Sequence, residues 1–127
     1  MNNKKGKNIL LDKSFNFSVR IVNLYRFLCS SKKEFILSKQ ILRSGTSIGA
    51  NTEEANGGIS KSDFSSKMSI AYKESRETKY WLRLLFETKY IDKKSFDSLT
   101  KDCDELSKLI FSVLRTTGRI RVNNNEL

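Results

Sequence analysis

Residues 42–58 read LRSGTSIGANTEEANGG and decide how the rest of the chain packs. They continue a helical pattern, yet small side chains occupy positions where the packing face of a helix is normally bulky. Gly45 and Gly49 each cost about 1 kcal/mol of helix propensity relative to alanine, so we expect close contact with a second helix to offset that cost. The predicted packing face narrows from large to small residues: Leu37, Ile41, Gly45, Ile48, Thr52 and Ala55.

Helical periodicity continues on both sides of this stretch. Phe17, Ile21, Leu24 and Leu28 share one helix face, and the 127 residues include no proline. The sequence predicts an all-α fold, an antiparallel up-down-up-down four-helix bundle, because short connections place consecutive helices side by side. The bundle should span 13–117, with helices at 13–29, 34–56, 62–88 and 92–116, between a flexible basic N-terminal arm (1–12) and a flexible C-terminal tail (118–127).

The formal net charge is +10 at pH 7, and the surplus lies near the N-terminus. Residues 1–43 carry ten Lys or Arg against two acidic residues. Such a surplus favours a polyanion such as RNA or DNA, although solubility alone accounts for it equally well. If nucleic acid binds, we expect phosphate contacts from the basic residues of the arm, the first helix and the next connection: Lys4, Lys5, Lys7, Lys13, Arg20, Arg26, Lys32 and Lys33.

A second apolar row on the first helix consists of Phe15, Val19 and Val22, well round the cylinder from the first row. One row is enough for a monomeric bundle, so the second predicts self-association, unless both rows form one wide core face. Trp81 lies on a mixed apolar and acidic row of the third helix. We expect it at a helix or subunit contact; stacking on a nucleic-acid base is the alternative.

Polar residues of the second helix form a row of their own, with Arg43, Ser47 and Glu54 on one face and Asn51 beside them. Such a row is either a solvated surface or a polar network inside the bundle or between subunits. In a network, Arg43 would pair with a carboxylate such as Glu54 or Glu74. A buried arginine that lost its partner would destabilise the fold by several kcal/mol.

The chain contains no histidine, which removes the commonest general base and metal ligand. Its two cysteines, Cys29 and Cys103, lack the spacing of a zinc site. P-loop, dinucleotide-binding and HExxH motifs are absent from the sequence. We therefore expect no catalytic site, no metal and no cofactor. No segment approaches the roughly 20 apolar residues of a membrane span, and no signal peptide is evident, so we expect a cytoplasmic protein.

Residues 37–58 and 63–85 together resemble a known family. LSKQILRSGTSIGANTEEANGG followed by DFSSKMSIAYKESRETKYWLRLL is similar to the bacterial four-helix-bundle proteins encoded in 23S rRNA intervening sequences, which are often labelled ribosomal-protein-like. The similarity covers roughly residues 14–115. Its composite motif joins two helices: Arg43-Ser44, Ser47, Asn51, Glu54, Phe64, Ala71, Glu74, Glu77 and Trp81-Leu82.

This resemblance implies a bundle that assembles into a ring-like homopentamer, with a buried structural polar network in the second and third helices. It also implies a relation to the accessory proteins of diversity-generating retroelements, which bind nucleic acid and a reverse transcriptase. Two functions follow as expectations. The first is a non-enzymatic, oligomeric protein that binds RNA or DNA through phosphates. The second is a structural or adaptor oligomer whose ligand is a protein such as a reverse transcriptase.

Overall fold

The computed structural model describes the backbone of residues 2–117 and the side chains of residues 9–117. Over that range the chain forms four α-helices and no strand. The expectation of an all-α fold with four helices is confirmed. The helices are α1 (Asn2–Ser30), α2 (Leu37–Asn56), α3 (Lys61–Glu87) and α4 (Lys93–Thr116).

Helix α1 extends into the segment that the sequence predicts to be a flexible arm. Residues 2–12 are helical, contrary to that prediction. Leu10 gives the physical reason, because its side chain is 6% exposed and belongs to the apolar core. The side chains of Lys4, Lys5 and Lys7 lie outside the described residues, as does the whole predicted tail at 118–127.

One apolar core runs through the bundle and draws on every helix. The predicted row of α1 is buried throughout. The core row of α4 is buried from Leu99 to Leu114, at intervals of three and four residues. The largest fully buried apolar side chains are Phe17, Ile21, Leu28, Ile41, Ile48, Met68, Leu82, Leu85, Leu106, Ile110 and Leu114.

Helix α1 is the helix that comes close to the small face of α2. A methyl group on Gly45 would lie 2.7 Å from Cγ1 of Ile21, a side chain that is fully buried. A methyl group on Gly49 would lie 3.0 Å from Oγ of Ser18 and 3.2 Å from the carbonyl oxygen of Ser14. At Gly45 even a methyl group would therefore require Ile21 or α1 to shift, and at Gly49 it would require a displacement of a few tenths of an ångström.

Buried hydroxyl groups link neighbouring helices inside this core. The Ser14 and Thr52 hydroxyls lie 3.0 Å apart between α1 and α2. Between α3 and α4, Ser107 donates to Ser75 at 2.7 Å. Each pair satisfies polar atoms that would otherwise be costly to bury, so these hydrogen bonds let small polar residues occupy core positions.

Helix α2 begins at Leu37, later than predicted, because the side chain of Glu34 caps it. The carboxylate accepts the backbone N–H of Ser38 at 2.8 Å and of Ile36 at 3.2 Å. Burial alone raises the pKa of Glu34, but the backbone N–H groups of Ser38, Leu37 and Ile36 outweigh it, so the pKa lies below its ordinary value. A charged Glu34 therefore stabilises the fold.

Glu34→Gln is expected to lower the free energy of unfolding by about 1 kcal/mol at neutral pH, a typical value for a lost cap. A lowered folded-state pKa contributes stability above the unfolded-state pKa, and this contribution disappears as pH falls through the folded-state pKa. The difference between variant and parent should therefore shrink in acid. Urea unfolding at neutral and acidic pH measures it, with exposed Glu53→Gln as control; an equal loss at both pH values would contradict the capping role.

Candidate nucleic-acid and assembly surfaces

Arg43 joins α2 to α3 through two carboxylates. Its Nη1 donates to Oε2 of Glu74 at 2.7 Å, and its Nη2 donates to Oε2 of Glu77. The same Glu77 oxygen accepts the indole N–H of Trp81 at 2.9 Å. Hydrogen bonds from Trp81 and Arg43 lower the pKa of Glu77, and the bond to Glu77 is the main cause that raises the pKa of Arg43. We call Arg43, Glu74, Glu77 and Trp81 the arginine cluster.

The rest of the polar row on α2 does not join the arginine cluster. Glu54 pairs with Lys67 at 2.9 Å, so the proposed pairing of Arg43 with Glu54 is not formed. Asn51 donates to the backbone carbonyl of Ser47 at 2.8 Å, within its own helix. Separation along α2 explains why Arg43 and Glu54 do not share a partner, because they pair with different parts of α3.

The arginine cluster lies at the outer edge of the α2–α3 contact. The side chain of Arg43 is 50% exposed, whereas that of Glu74 is 14% exposed. The expectation of a fully buried network therefore does not hold for the single chain. An arginine this exposed makes an ion pair worth about 1 kcal/mol or less. Only a second surface laid over the cluster would make it a buried network.

The second apolar row of α1 faces away from the core. Phe15 is 65% exposed and Val19 is 46% exposed, while Val22 is partly buried. The two apolar rows of α1 therefore do not form one wide core face, which was the alternative. Beside Trp81, Tyr80 is 58% exposed, and the two rings meet edge to face at 5.0 Å. Apolar groups are thus uncovered on both α1 and α3.

The basic residues proposed for phosphate contact fall into two groups. Lys13 pairs with Glu105 at 2.9 Å, and Arg20 pairs with Asp102 at 2.5 Å, so both are engaged with α4. The second group consists of Arg26 at the end of α1 and of Lys32 and Lys33 in the α1–α2 connection. These three side chains are exposed, and no ion pair among residues 9–117 involves them.

Two neighbouring open cavities occupy this same end of the bundle. One of about 520 Å³ lies between the end of α1 and the α3–α4 connection. The other, of about 370 Å³, continues between α1 and α4. Phe27 lines both, and Lys89 and Tyr90 line the larger. None of these three residues was predicted from the sequence as part of a site, although aromatic residues and lysines lie close together in FETKYIDKK (86–94), which is a usable signal.

Groups that could carry chemistry are few in the described residues. No cluster of three histidine, cysteine, aspartate or glutamate side chains among them could hold a metal ion. Cys103 is buried, and burial raises the pKa of its thiol to about 12, so it is protonated at neutral pH. No helix in the described part of the chain is long and apolar enough to cross a membrane.

The chain is similar to known proteins over nearly the whole of the bundle. Residues 6–112 match the family described as 23S rRNA-intervening sequence protein. A crystal structure from Bacteroides thetaiotaomicron VPI-5482, described as a protein with unknown function from the S23 ribosomal protein family, is 52% identical in sequence. It superposes with a TM-score of 0.86, over 87% of this chain and 98% of that chain. Among curated proteins, none matches.

Proposed function

The chain belongs to the family of 23S rRNA-intervening sequence proteins, and on that premise we propose that it is a cytoplasmic, non-enzymatic protein that binds RNA or DNA. In this proposal an antiparallel bundle assembles into a homo-oligomer, with five chains in the ring. The assembly presents basic residues to phosphates and reads no particular base sequence. The comparisons show only that the chain belongs to this family. The proposed binding rests on the charge and exposure of its basic residues.

Exposed basic residues at one end of the bundle are the observation that carries this proposal. Arg26, Lys32 and Lys33 project into solvent without a carboxylate partner in residues 9–117. Binding releases counterions from the phosphate backbone, and that release drives affinity without sequence preference. Repetition of the same patch around a ring would multiply the number of contacts and strengthen binding through effective concentration.

The exposed apolar row of α1 supports assembly. Phe15 and Val19 leave apolar surface in water on a single chain, and exposed apolar patches mark interaction sites. A neighbouring subunit that covered such surface would also desolvate nearby charges. If the cover extended over α3, the arginine cluster would become the buried network that the family resemblance implies.

We expect RNA affinity to fall steeply with salt. The logarithm of the association constant should decrease linearly with the logarithm of salt concentration, with a slope of about −0.7 for each phosphate contact to a single strand. Substitution of Arg26, Lys32 and Lys33 by Gln should make the slope shallower by about 2 if each makes one contact. Fluorescence anisotropy with labelled RNA measures the slope.

The matched control removes three exposed cations from the outer faces of α3 and α4, with Lys73, Arg76 and Lys108 replaced by Gln. This variant has the same net charge as the first and should keep more of the parent's slope. Negligible affinity of the parent for RNA at low salt would reject the proposed function. Equal losses in the two triple variants would reject the assigned binding surface.

An adaptor that binds a protein is the second candidate, and one observation favours it. Phe35 is 52% exposed and Ile36 is 74% exposed in the α1–α2 connection. Two adjacent apolar side chains in a basic connection suit a protein partner such as a reverse transcriptase. Loss of that partner's binding in a Phe35→Ser, Ile36→Ser variant, together with absent RNA binding by the parent, would favour the adaptor.

A further inference from the structure

The larger cavity at the end of the bundle has the composition of a site for a planar ring. It measures about 520 Å³, within the usual range of small-molecule sites of about 300–1,000 Å³. Phe27 and Phe86 supply aromatic surface, and Tyr90 adds a third ring. Phe86 is already stacked on Phe96 with ring centroids 4.5 Å apart. Of the two phenylalanine rings, Phe27 is therefore the better placed to receive a ligand.

Phe27 is not required by the core. Its neighbours Leu24 and Leu28 are 7% and 0% exposed, whereas Phe27 is 41% exposed. The ammonium group of Lys32 lies 5.8 Å from the centroid of the Phe27 ring. The ammonium group therefore lies over a face of the ring. A base that stacks on this face would displace the ammonium group, which could then contact a phosphate.

Basic residues border the cavity on two sides. Lys32 comes from the α1–α2 connection and Lys89 from the α3–α4 connection. Lys89 has a φ of 70°, a left-handed conformation that a lysine adopts only where the connection imposes it. This conformation fixes the path of the chain at the rim of the cavity.

Two acidic residues, Glu87 and Asp92, also line the cavity. The carboxylate of Asp92 accepts the backbone N–H of Ser95 at 2.8 Å and caps α4. Its charge is thus partly offset by the positive end of that helix. Glu87 is exposed at the end of α3. Lys93 is paired with Asp97 at 2.7 Å. Three further exposed cations without such a pair among residues 9–117 surround this end of the bundle and make it basic: Arg26, Lys33 and Lys94.

We propose that this cavity binds an unpaired base of a single-stranded nucleic acid, with the base stacked on Phe27 and its flanking phosphates near Lys32 and Lys89. A base inside a duplex cannot offer its face to Phe27, because both of its faces are covered by neighbouring base pairs. The inference rests on the proposed function and narrows it to single-stranded segments. Stacking is tolerant of base identity, since every base has an aromatic face.

The test compares single-stranded RNA, single-stranded DNA of the same sequence, and a blunt RNA duplex, each with the full chain. Phe27→Leu keeps an apolar side chain and removes the aromatic face. We expect it to weaken single-strand binding by about 5- to 30-fold, the equivalent of about 1–2 kcal/mol for one stacked base, and to change duplex binding less than about twofold. Phe27→Tyr should retain parental affinity.

Phe111→Leu is the matched control, since Phe111 lies on α4 against Tyr72 and does not line the cavity. It should bind every probe as the parent does. A 2-aminopurine base in the single strand gives an independent signal: stacking should quench its fluorescence with the parent and Phe27→Tyr, and less with Phe27→Leu. If Phe27→Leu loses affinity for both single-stranded RNA and single-stranded DNA, the result supports a site that recognises the base alone. If it loses affinity for RNA only, the result supports the same site with RNA as its ligand.

Three results would overturn the inference. Parental single-strand affinity in Phe27→Leu would remove the stacking role and leave the proposed function intact. Equal losses for single strand and duplex in Phe27→Leu would assign Phe27 a structural role. No binding of any probe by the parent at low salt would reject the proposed function, and the inference with it.

Discussion

Gly45→Leu is expected to destabilise the bundle by about 3 kcal/mol, a large part of the 5–15 kcal/mol that stabilises a typical domain. The first atom of any side chain at this position would already lie 2.7 Å from Cγ1 of Ile21. Ile21 is fully buried, so it has little room to move aside. The remaining leucine atoms would therefore force α1 away from α2. Chemical denaturation followed by circular dichroism measures the loss.

Gly57→Ala is the matched control for this prediction. A methyl group on Gly57 would meet nothing closer than 3.9 Å, and its φ is −91°, which alanine adopts readily. It should unfold at the parental denaturant concentration or slightly above it. In an Ile21→Ala background, Gly45→Leu should be less damaging, because the added atoms fill the space left by Ile21. Additive losses at the two positions would contradict the close contact.

Val19→Asp is expected to dissociate the proposed oligomer into folded single chains. Val19 is 46% exposed on the isolated chain, so an aspartate there remains solvated and leaves the bundle intact. In an interface, the same carboxylate would be desolvated without a partner, which costs several kcal/mol. Sedimentation velocity gives the mass, and circular dichroism checks the helical content.

Asn16→Asp is the control for charge, since Asn16 is an exposed residue of α1 on the side that faces α4. It adds the same charge as Val19→Asp and should keep the parental mass. An unchanged mass for Val19→Asp would remove the α1 apolar row from the interface. Dissociation of both variants would point to net charge as the cause and would also contradict the assignment.

The sequence was informative wherever a contact repeats along a helix. The row from Phe17 to Leu28 and the row from Leu99 to Ile110 are buried because apolar residues recur at helical spacing. Gly45 also signalled a close approach, since glycine inside a helix is unfavourable without such a contact. These features depend on local order, so they can be read before the fold is known.

Features that depend on distant parts of the chain could not be read in this way. Leu10 belongs to the core, but it lies in a basic segment of the sequence that was predicted to be a flexible arm. The two partners of Arg43 become visible only when α2 and α3 are placed side by side. The cavity at Phe27 is formed by the end of α1 and a connection some sixty residues later in the sequence, and no periodicity relates the two.

Net charge was the sequence feature that said least about which residues can contact a ligand. The first third of the chain holds much of the positive surplus, yet two of the basic residues in α1, Lys13 and Arg20, are engaged in ion pairs with α4. Lys89 of the α3–α4 connection and Lys94 at the start of α4 contribute to the exposed basic end instead, whereas Lys93 is paired with Asp97. The number of basic residues thus favours a polyanion, but only exposure and pairing indicate which of them can contact it.

The mass of the full chain at low salt, measured with and without RNA, tests the central claim most directly. We expect one species without RNA, of about five times the 14.7 kDa chain mass. With RNA, the mass should increase by that of the bound RNA, and added salt should release the RNA while the protein assembly persists. A single species of 14.7 kDa both with and without RNA would contradict the account.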